Sequence, residues 1–203
     1  CSPDDSGLNN LTCDFDGDSD WDKPSLIQTY SGTDHVSGSD YDTNCGWNAG
    51  SGVWCDEIEL GAGVSGAGNG DQANGGDGGD KIYATGAYDV FIEGEGGEDK
   101  LHGGGGDDTI NGDAGDDVIY GGGGDDTLTG GVDDNWINGQ DGVDYIYGNT
   151  GDETLCGAWK LDSDEDEVWA SSGTDVCTHT LEDILNDCED EEPDDRVCPD
   201  PPF

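Results

Sequence analysis

The stretch GGGGDDTINGDAGDDVIYGGGGDDTLT, residues 103–129, is three nine-residue phrases laid end to end. Each opens on four glycines or other small turn formers and continues with two aspartates. Each closes on a three-residue beat with a large apolar residue at its centre: TIN, VIY, TLT. A period of nine cannot make a helical stripe. It reads as a three-residue strand joined to a six-residue turn, with one inward side chain per strand. Phrases begin at residues 75, 84, 94, 103, 112, 121, 130, 139 and 148. Glu93 reads as a single inserted residue, and a weaker copy, GAGNGDQAN, precedes them at 66–74.

Aligned on that period, the eighth position holds Ile82, Phe91, Leu101, Ile110, Ile119, Leu128, Ile137, Ile146 and Leu155, all large and apolar. The sixth holds Asp80, Asp89, Asp99, Asp108, Asp117, Asp126, Asn135, Asp144 and Glu153, so every phrase offers an oxygen ligand. Glycines at the first, second and fourth positions permit the positive φ that a tight turn needs. Two phrases make one coil, so alternate phrases stack on the same side of a solenoid. Stacked coils of parallel strands lie about 4.8 Å apart. Unit charges at that spacing repel by roughly 1 kcal/mol in water and by several at lower effective dielectric. A column of carboxylates therefore opposes folding unless a cation lies within it. Calcium suits the position, because it takes six to eight oxygens from carboxylates and backbone carbonyls in flexible geometry. Magnesium, smaller and reluctant to dehydrate, suits it less.

The phrases GGDGGDKIY, GGGGDDTIN and GGGGDDTLT resemble the GGxGxDxUx nonapeptide of RTX proteins, whose parallel β-roll binds calcium. The resemblance covers residues 75–156 and implies an all-β fold, a right-handed parallel β-roll; the cysteines on either side of it point to irregular disulfide-linked caps at the N- and C-termini. It implies several calcium ions between the turns of alternate repeats. Their ligands would be Asp80, Asp89, Asp99, Asp108, Asp117, Asp126 and Asp144, with turn carbonyls completing each shell. Asn135 and Glu153 depart from the aspartate of the motif and put their own sites in question. The adjacent fifth-position acids Asp107, Asp116, Asp125, Asp134 and Asp152 are expected to face outward or to reinforce a ligand pair.

The chain divides accordingly into an N-terminal cap (1–56), a glycine-rich lead-in (57–74), the roll (75–156) and a C-terminal cap with an acidic, proline-bearing tail (157–203). Leu181, Ile184, Leu185 and Cys188 fall at helical spacing and predict a short helix. Beyond the roll, DFDGDSDWD at 14–22 alternates acids like a calcium loop, which makes Asp14, Asp16 and Asp18 weaker metal candidates. Its glycine does not fall where an EF-hand requires it. Asp71, in the degenerate copy, is another weak candidate. LDSDEDE at 161–167 reads as hydrated surface.

Fifty acids stand against five lysines and arginines, a formal charge of −45. That excludes nucleic acid as an electrostatic partner, since phosphate binding runs on lysine and arginine. Acidity and 38 glycines would ordinarily mean disorder. Six tryptophans, eight cysteines and the strict period oppose it. The cysteines are Cys1, Cys13, Cys45, Cys55, Cys156, Cys177, Cys188 and Cys198, with no CxxC pair to suggest zinc. An even number in such a chain predicts disulfides and an oxidising, extracellular or cell-surface location. Sequence neighbours suggest Cys1–Cys13, Cys45–Cys55, Cys156–Cys177 and Cys188–Cys198, among 105 possible connectivities.

With no methionine, the chain is expected to be a mature product that has lost a targeting segment. Cys1 is a candidate lipid anchor as well as a disulfide partner, and Asn10, in NLT, a candidate glycosylation site. No apolar run approaches the roughly 20 residues that span a bilayer. His35, His102 and His179 are scattered, and no HExxH, GxSxG or phosphate-binding loop occurs, so no catalytic role is expected. A solenoid leaves strand edges at its ends that must be capped or paired, which predicts self-association into a filament or matrix. The alternatives are an adhesin-like binding module or surface lipoprotein and, as a poorer fit, an accessory region of a secreted RTX enzyme or toxin.

Overall fold

One inward residue per phrase builds two facing sheets. In a computed structural model of the chain, each phrase supplies one strand, and successive strands fall alternately into two parallel sheets. The structure describes residues 72–158, 165–179, 184–188 and 201, and the backbone of the strands at 9–12, 25–28, 34–37, 56–60 and 190–193. Those early strands are β1 (Asn9–Thr12), β2 (Ser25–Gln28), β3 (Asp34–Ser37) and β4 (Asp56–Leu60). The degenerate copy gives β5 (Gln72–Asp77). The phrases give β6 (Lys81–Ala84), β7 (Phe91–Gly96), β8 (Lys100–Gly105), β9 (Thr109–Ala114) and β10 (Val118–Gly123). They continue as β11 (Thr127–Val132), β12 (Trp136–Asp141), β13 (Tyr145–Thr150) and β14 (Thr154–Ala158). After them come β15 (Glu167–Ser172), β16 (Val176–His179), β17 (Ile184–Asn186) and β18 (Asp190–Pro193). Odd strands form one sheet and even strands the other, each in chain order. The sheets thus run past both ends of the nonapeptide array.

The core is two rows of side chains meeting between the sheets. Ile82, Leu101, Ile119, Ile137, Leu155 and Cys177 line the even sheet, while Ala73, Ile92, Ile110, Leu128, Ile146 and Val168 line the odd one. Most of these side chains have no exposed surface. Burying each branched residue contributes roughly 1.5–3 kcal/mol, but with one large inward residue per strand the core between the sheets is thin.

Ile92 corrects the alignment. It pairs with Ile110 and Ala73, whereas Phe91 pairs with the outward Thr109 and is only half-buried. The extra residue therefore lies before Phe91, in the turn at 85–90, and Glu93 is an ordinary outward strand residue. Packing sets this register, since a slip of one would turn Ile92 outward.

The short helix is also corrected: Ile184–Asn186 is a strand, paired in parallel with β15 through Ile184↔Glu167 and Leu185↔Val168. Leu185 packs on the core while Ile184 is 43% exposed, the alternation of a strand at the end of the roll. Leu181 lies outside the described residues.

Cys177 bonds Cys188, not Cys156. In register, Cys177 stands beside Leu155 and faces the core, whereas Cys156 stands beside Thr178 on the opposite side of the same sheet. Neighbours along a strand point to opposite faces, so Cys156 and Cys177 cannot meet. The expected Cys188–Cys198 bond falls with it. Cys156 is itself disulfide-bonded, to a cysteine outside the described residues. Cys1, Cys13, Cys45, Cys55 and Cys198 also lie outside them.

On the outer face of the even sheet, Tyr83, His102, Tyr120 and Trp136 form a ladder with ring centroids 6.5, 5.9 and 5.0 Å apart. Burial holds the His102 imidazole below its ordinary pKa. Val118, Trp136 and Cys156 are buried there as a second small apolar cluster. The odd sheet's outer face carries Tyr145, Tyr147 and Trp169, the last two stacked at 4.7 Å and 5°.

Candidate metal centre

Along each strand the inward positions are the eighth residue of one phrase and the first of the next: Ile119 then Gly121, Leu128 then Gly130. The sixth-position side chain turns inward just ahead of them and occupies the space beside the first-position glycine. A Cβ on Gly121 would collide with Asp126 Oδ2 and lie 2.7 Å from the carbonyl oxygen of Gly139, one coil on. The first-position glycine is therefore required by space. The expectation of positive φ holds one residue later, at Gly122 (φ 124°).

The buried aspartates Asp99, Asp108, Asp117, Asp126 and Asp144 are all held the same way. Asp99 Oδ1 accepts from the backbone N–H of Asp80 at 2.7 Å, and Asp117 Oδ1 from Asp99 N–H at 2.9 Å. In the other column, Asp108 Oδ1 accepts from Val90 N–H and Asp126 Oδ1 from Asp108 N–H, both at 2.8 Å. Asp144 Oδ1 accepts from Asp126 N–H at 2.9 Å. One carboxylate oxygen of each of these aspartates thus joins its coil to the one before, whereas neither oxygen of Glu153 receives a hydrogen bond. The second oxygens of Asp99, Asp108, Asp117 and Asp126 are buried and receive no hydrogen bond.

Burial pushes the Asp99 carboxyl up to about 8, with Asp117 and Asp113 adding to the rise against the bond from Asp80. Burial likewise raises Asp108, Asp117 and Asp126 to about 7, and neighbouring acids reinforce it. Glu153 rises to about 8 through burial and the nearby Asp175. A buried, unsatisfied charged oxygen costs more than the roughly 1–3 kcal/mol of a neutral one, so these oxygens call for a cation.

The donors converging there are oxygens alone. Asp99 Oδ2 lies beside Gly94 with the Gly112 carbonyl, Asp108 Oδ2 beside Gly103 with the Gly121 carbonyl, and Asp117 Oδ2 beside Gly112 with the Gly130 carbonyl. Among the described residues no three His, Cys, Asp or Glu side chains gather on one point. A single carboxylate with main-chain carbonyls is a hard, all-oxygen set, which suits calcium and not zinc or copper. The segment also matches the RTX calcium-binding nonapeptide repeat in four overlapping copies, at residues 74–110, 93–128, 102–136 and 129–159. Residues 74–159 are RTX repeats. They bind calcium, several ions to the roll. No curated protein and no solved structure matches the chain.

In the RTX roll, Asp80, Asp99, Asp117, Asn135 and Glu153 stand in one column and Asp108, Asp126 and Asp144 in the other, all buried. Asp89 belongs to neither. The residue before Phe91 shifts the frame, so Val90 takes the buried sixth position while Asp89 is exposed and accepts from Asp107 N–H at 3.0 Å. The exposed fifth-position acids repeat that bond: Asp107 Oδ1 accepts from Asp125 N–H and Asp116 Oδ1 from Asp134 N–H, both at 3.0 Å. They reach forward along the roll, whereas the sixth-position acids reach back. Asp14, Asp16, Asp18 and Asp71 lie outside the described residues, as does the side chain of Asn10.

Two buried acids escaped the sequence reading. Asp166 Oδ1 accepts from Asp144 N–H at 2.8 Å and Asp175 Oδ1 from Glu153 N–H at 3.0 Å, which extends both columns beyond the nonapeptides. Asp166 had read as hydrated surface, yet it is fully buried. The signal was present: Asp166 and Asp175 stand nine residues apart, each two before an inward residue, Val168 and Cys177. A longer connection hid it, for each bond there spans 22 residues against 18 or 19 within the roll.

Proposed function

We propose that this chain is an extracellular structural protein whose roll condenses when it meets calcium outside the cell. The observation that carries the reading is the row of buried carboxylate oxygens with no hydrogen bond, at Asp99, Asp108, Asp117 and Asp126. Without an ion they repel one another and keep the acidic chain expanded; calcium makes the narrow core sufficient. The disulfide-bonded Cys156 and Cys177 suit an oxidising compartment, and extracellular calcium modules work at about 10⁻⁴–10⁻³ M.

Self-assembly is part of the proposal. Among the described residues β1 and β2 end the sheets at one pole and β17 and β18 at the other, and strand edges accept further strands. A second reading, a surface-displayed binding module, is favoured by the stacked Tyr147 and Trp169 beside Tyr145, which is 39% exposed. Sedimentation and negative-stain imaging at controlled calcium separate the two. Calcium-dependent filaments or sheets support assembly, and a monodisperse compact monomer supports the binding module. A chain that stays expanded with calcium defeats both.

A further inference from the structure

The two columns are unequal, and the difference lies at Asn135. Both polar atoms of its side chain are hydrogen-bonded within the protein. Asn135 Oδ1 accepts from the Asp117 N–H at 3.0 Å, so the rung keeps the bond that joins each coil to the last. Asn135 Nδ2 donates to the Asp133 carbonyl at 3.0 Å, inside its own turn. The amide cannot be reversed, because the Asp117 N–H only donates and the Asp133 carbonyl only accepts.

The space beside Gly130 differs accordingly. At Gly94, Gly103, Gly112 and Gly121, the place of a Cβ is met by a carboxylate oxygen and a carbonyl of the next coil. At Gly130 the nearest atoms are Asn135 Nδ2 at 2.8 Å and its Cβ and Cγ at 3.0 Å. A positively polarised N–H₂ stands where the other rungs present an anionic oxygen. The fourth residue of this turn is also altered: Asp133 replaces the usual glycine and still takes φ 70°. The backbone ladder is nevertheless unbroken, with Thr154 N–H bonded to the Asn135 carbonyl at 2.8 Å, as Trp136 N–H is to Asp117.

We propose that Asn135 is a built-in ion-free rung that divides one calcium column in two. On one side lie the sites of Asp80, Asp99 and Asp117; on the other, that of Glu153, whose Oε2 meets the Ala170 carbonyl beside Gly148. The opposite column, Asp108 through Asp144 to Asp166, continues past it. The rung closes its own turn with an amide, so the middle of the roll has one link that forms without metal and across which ions on the divided side do not share a ligand. The inference rests on the calcium reading above.

Native mass spectrometry or equilibrium dialysis of the full chain, counting calcium per molecule, tests it. Asn135→Asp restores the carboxylate and is expected to bind one ion more than the wild type, while Asn135→Ala binds the same number. Asp126→Asn, in the undivided column, binds one fewer. An unchanged count in Asn135→Asp, or one ion lost in Asn135→Ala, overturns the divided column. Should Asn135→Ala not fold, the count for Asn135→Asp still decides. A wild type that binds no calcium defeats the calcium reading itself, a result distinct from either.

Discussion

Asp126 Oδ1 accepts the backbone N–H of Asp108 at 2.8 Å, while Asp126 Oδ2 lies buried against Gly121 with no hydrogen bond. One side chain thus performs two tasks, joining coils through one oxygen and demanding a cation at the other.

The tasks separate in Asp126→Asn. The amide keeps an acceptor for Asp108 N–H and removes the buried charge. In excess chelator the variant should be at least as stable as the wild type; with calcium it should melt lower, because a ligand is lost. The β signal by circular dichroism in chelator at pH 5–6, where protonation favours the fold, and thermal melts in calcium check the reversal of sign.

Three neighbouring glycines should respond differently to alanine. Gly121→Ala drives a Cβ into Asp126 Oδ2 and the Gly139 carbonyl and should weaken both folding and calcium binding. Gly122→Ala forces an L-residue to φ 124° and approaches the Gly104 carbonyl, so it should also destabilise. Gly123 has nothing within 4 Å of its Cβ position. Gly123→Ala should be neutral or stabilise by about 0.4–1 kcal/mol through the unfolded chain. Melting temperatures in calcium rank the three.

The pH dependence should have opposite signs with and without metal. Without an ion, burial lifts Asp99 to about 8 and Asp108, Asp117 and Asp126 to about 7, against about 3.9 in the unfolded chain. A raised carboxyl stabilises the fold when protonated, and that contribution is lost as pH rises through about 7–8. In chelator the β signal should therefore strengthen from pH 8 towards pH 5. Calcium needs the deprotonated oxygens, so its affinity should fall over the same interval. Titrations at several pH values measure both slopes.

Much of this was legible in the sequence because the period of nine fixes both spacing and face. Phrases 103 and 121 fall in one sheet and phrase 112 in the other, as the alternation of coils requires, and Asp108, Asp117 and Asp126 stand where the repeat places them. Reading failed where the period slips. Asp89 and Phe91 were misplaced because only packing, through the fully buried Ile92, reveals on which side of them the extra residue lies. Asp166 was missed because a longer connection precedes it. The partner of Cys177 depends on which face each cysteine takes, which spacing alone does not encode.

The C-terminal coil should depend on its crosslink. Cys177 and Cys188 close a loop of 11 residues' separation, and such bonds typically contribute about 2–4 kcal/mol. Cys188→Ser should speed proteolysis of residues 176–193 in calcium while leaving 94–141 protected. Mass analysis of the fragments locates the first cuts.

The central claim is that the roll is conditional on calcium. Far-ultraviolet circular dichroism at pH 8, with excess EGTA and then with calcium restored, addresses it most directly. The account predicts that the β signal is lost in chelator and regained on adding calcium. A β signal unchanged by EGTA would contradict it.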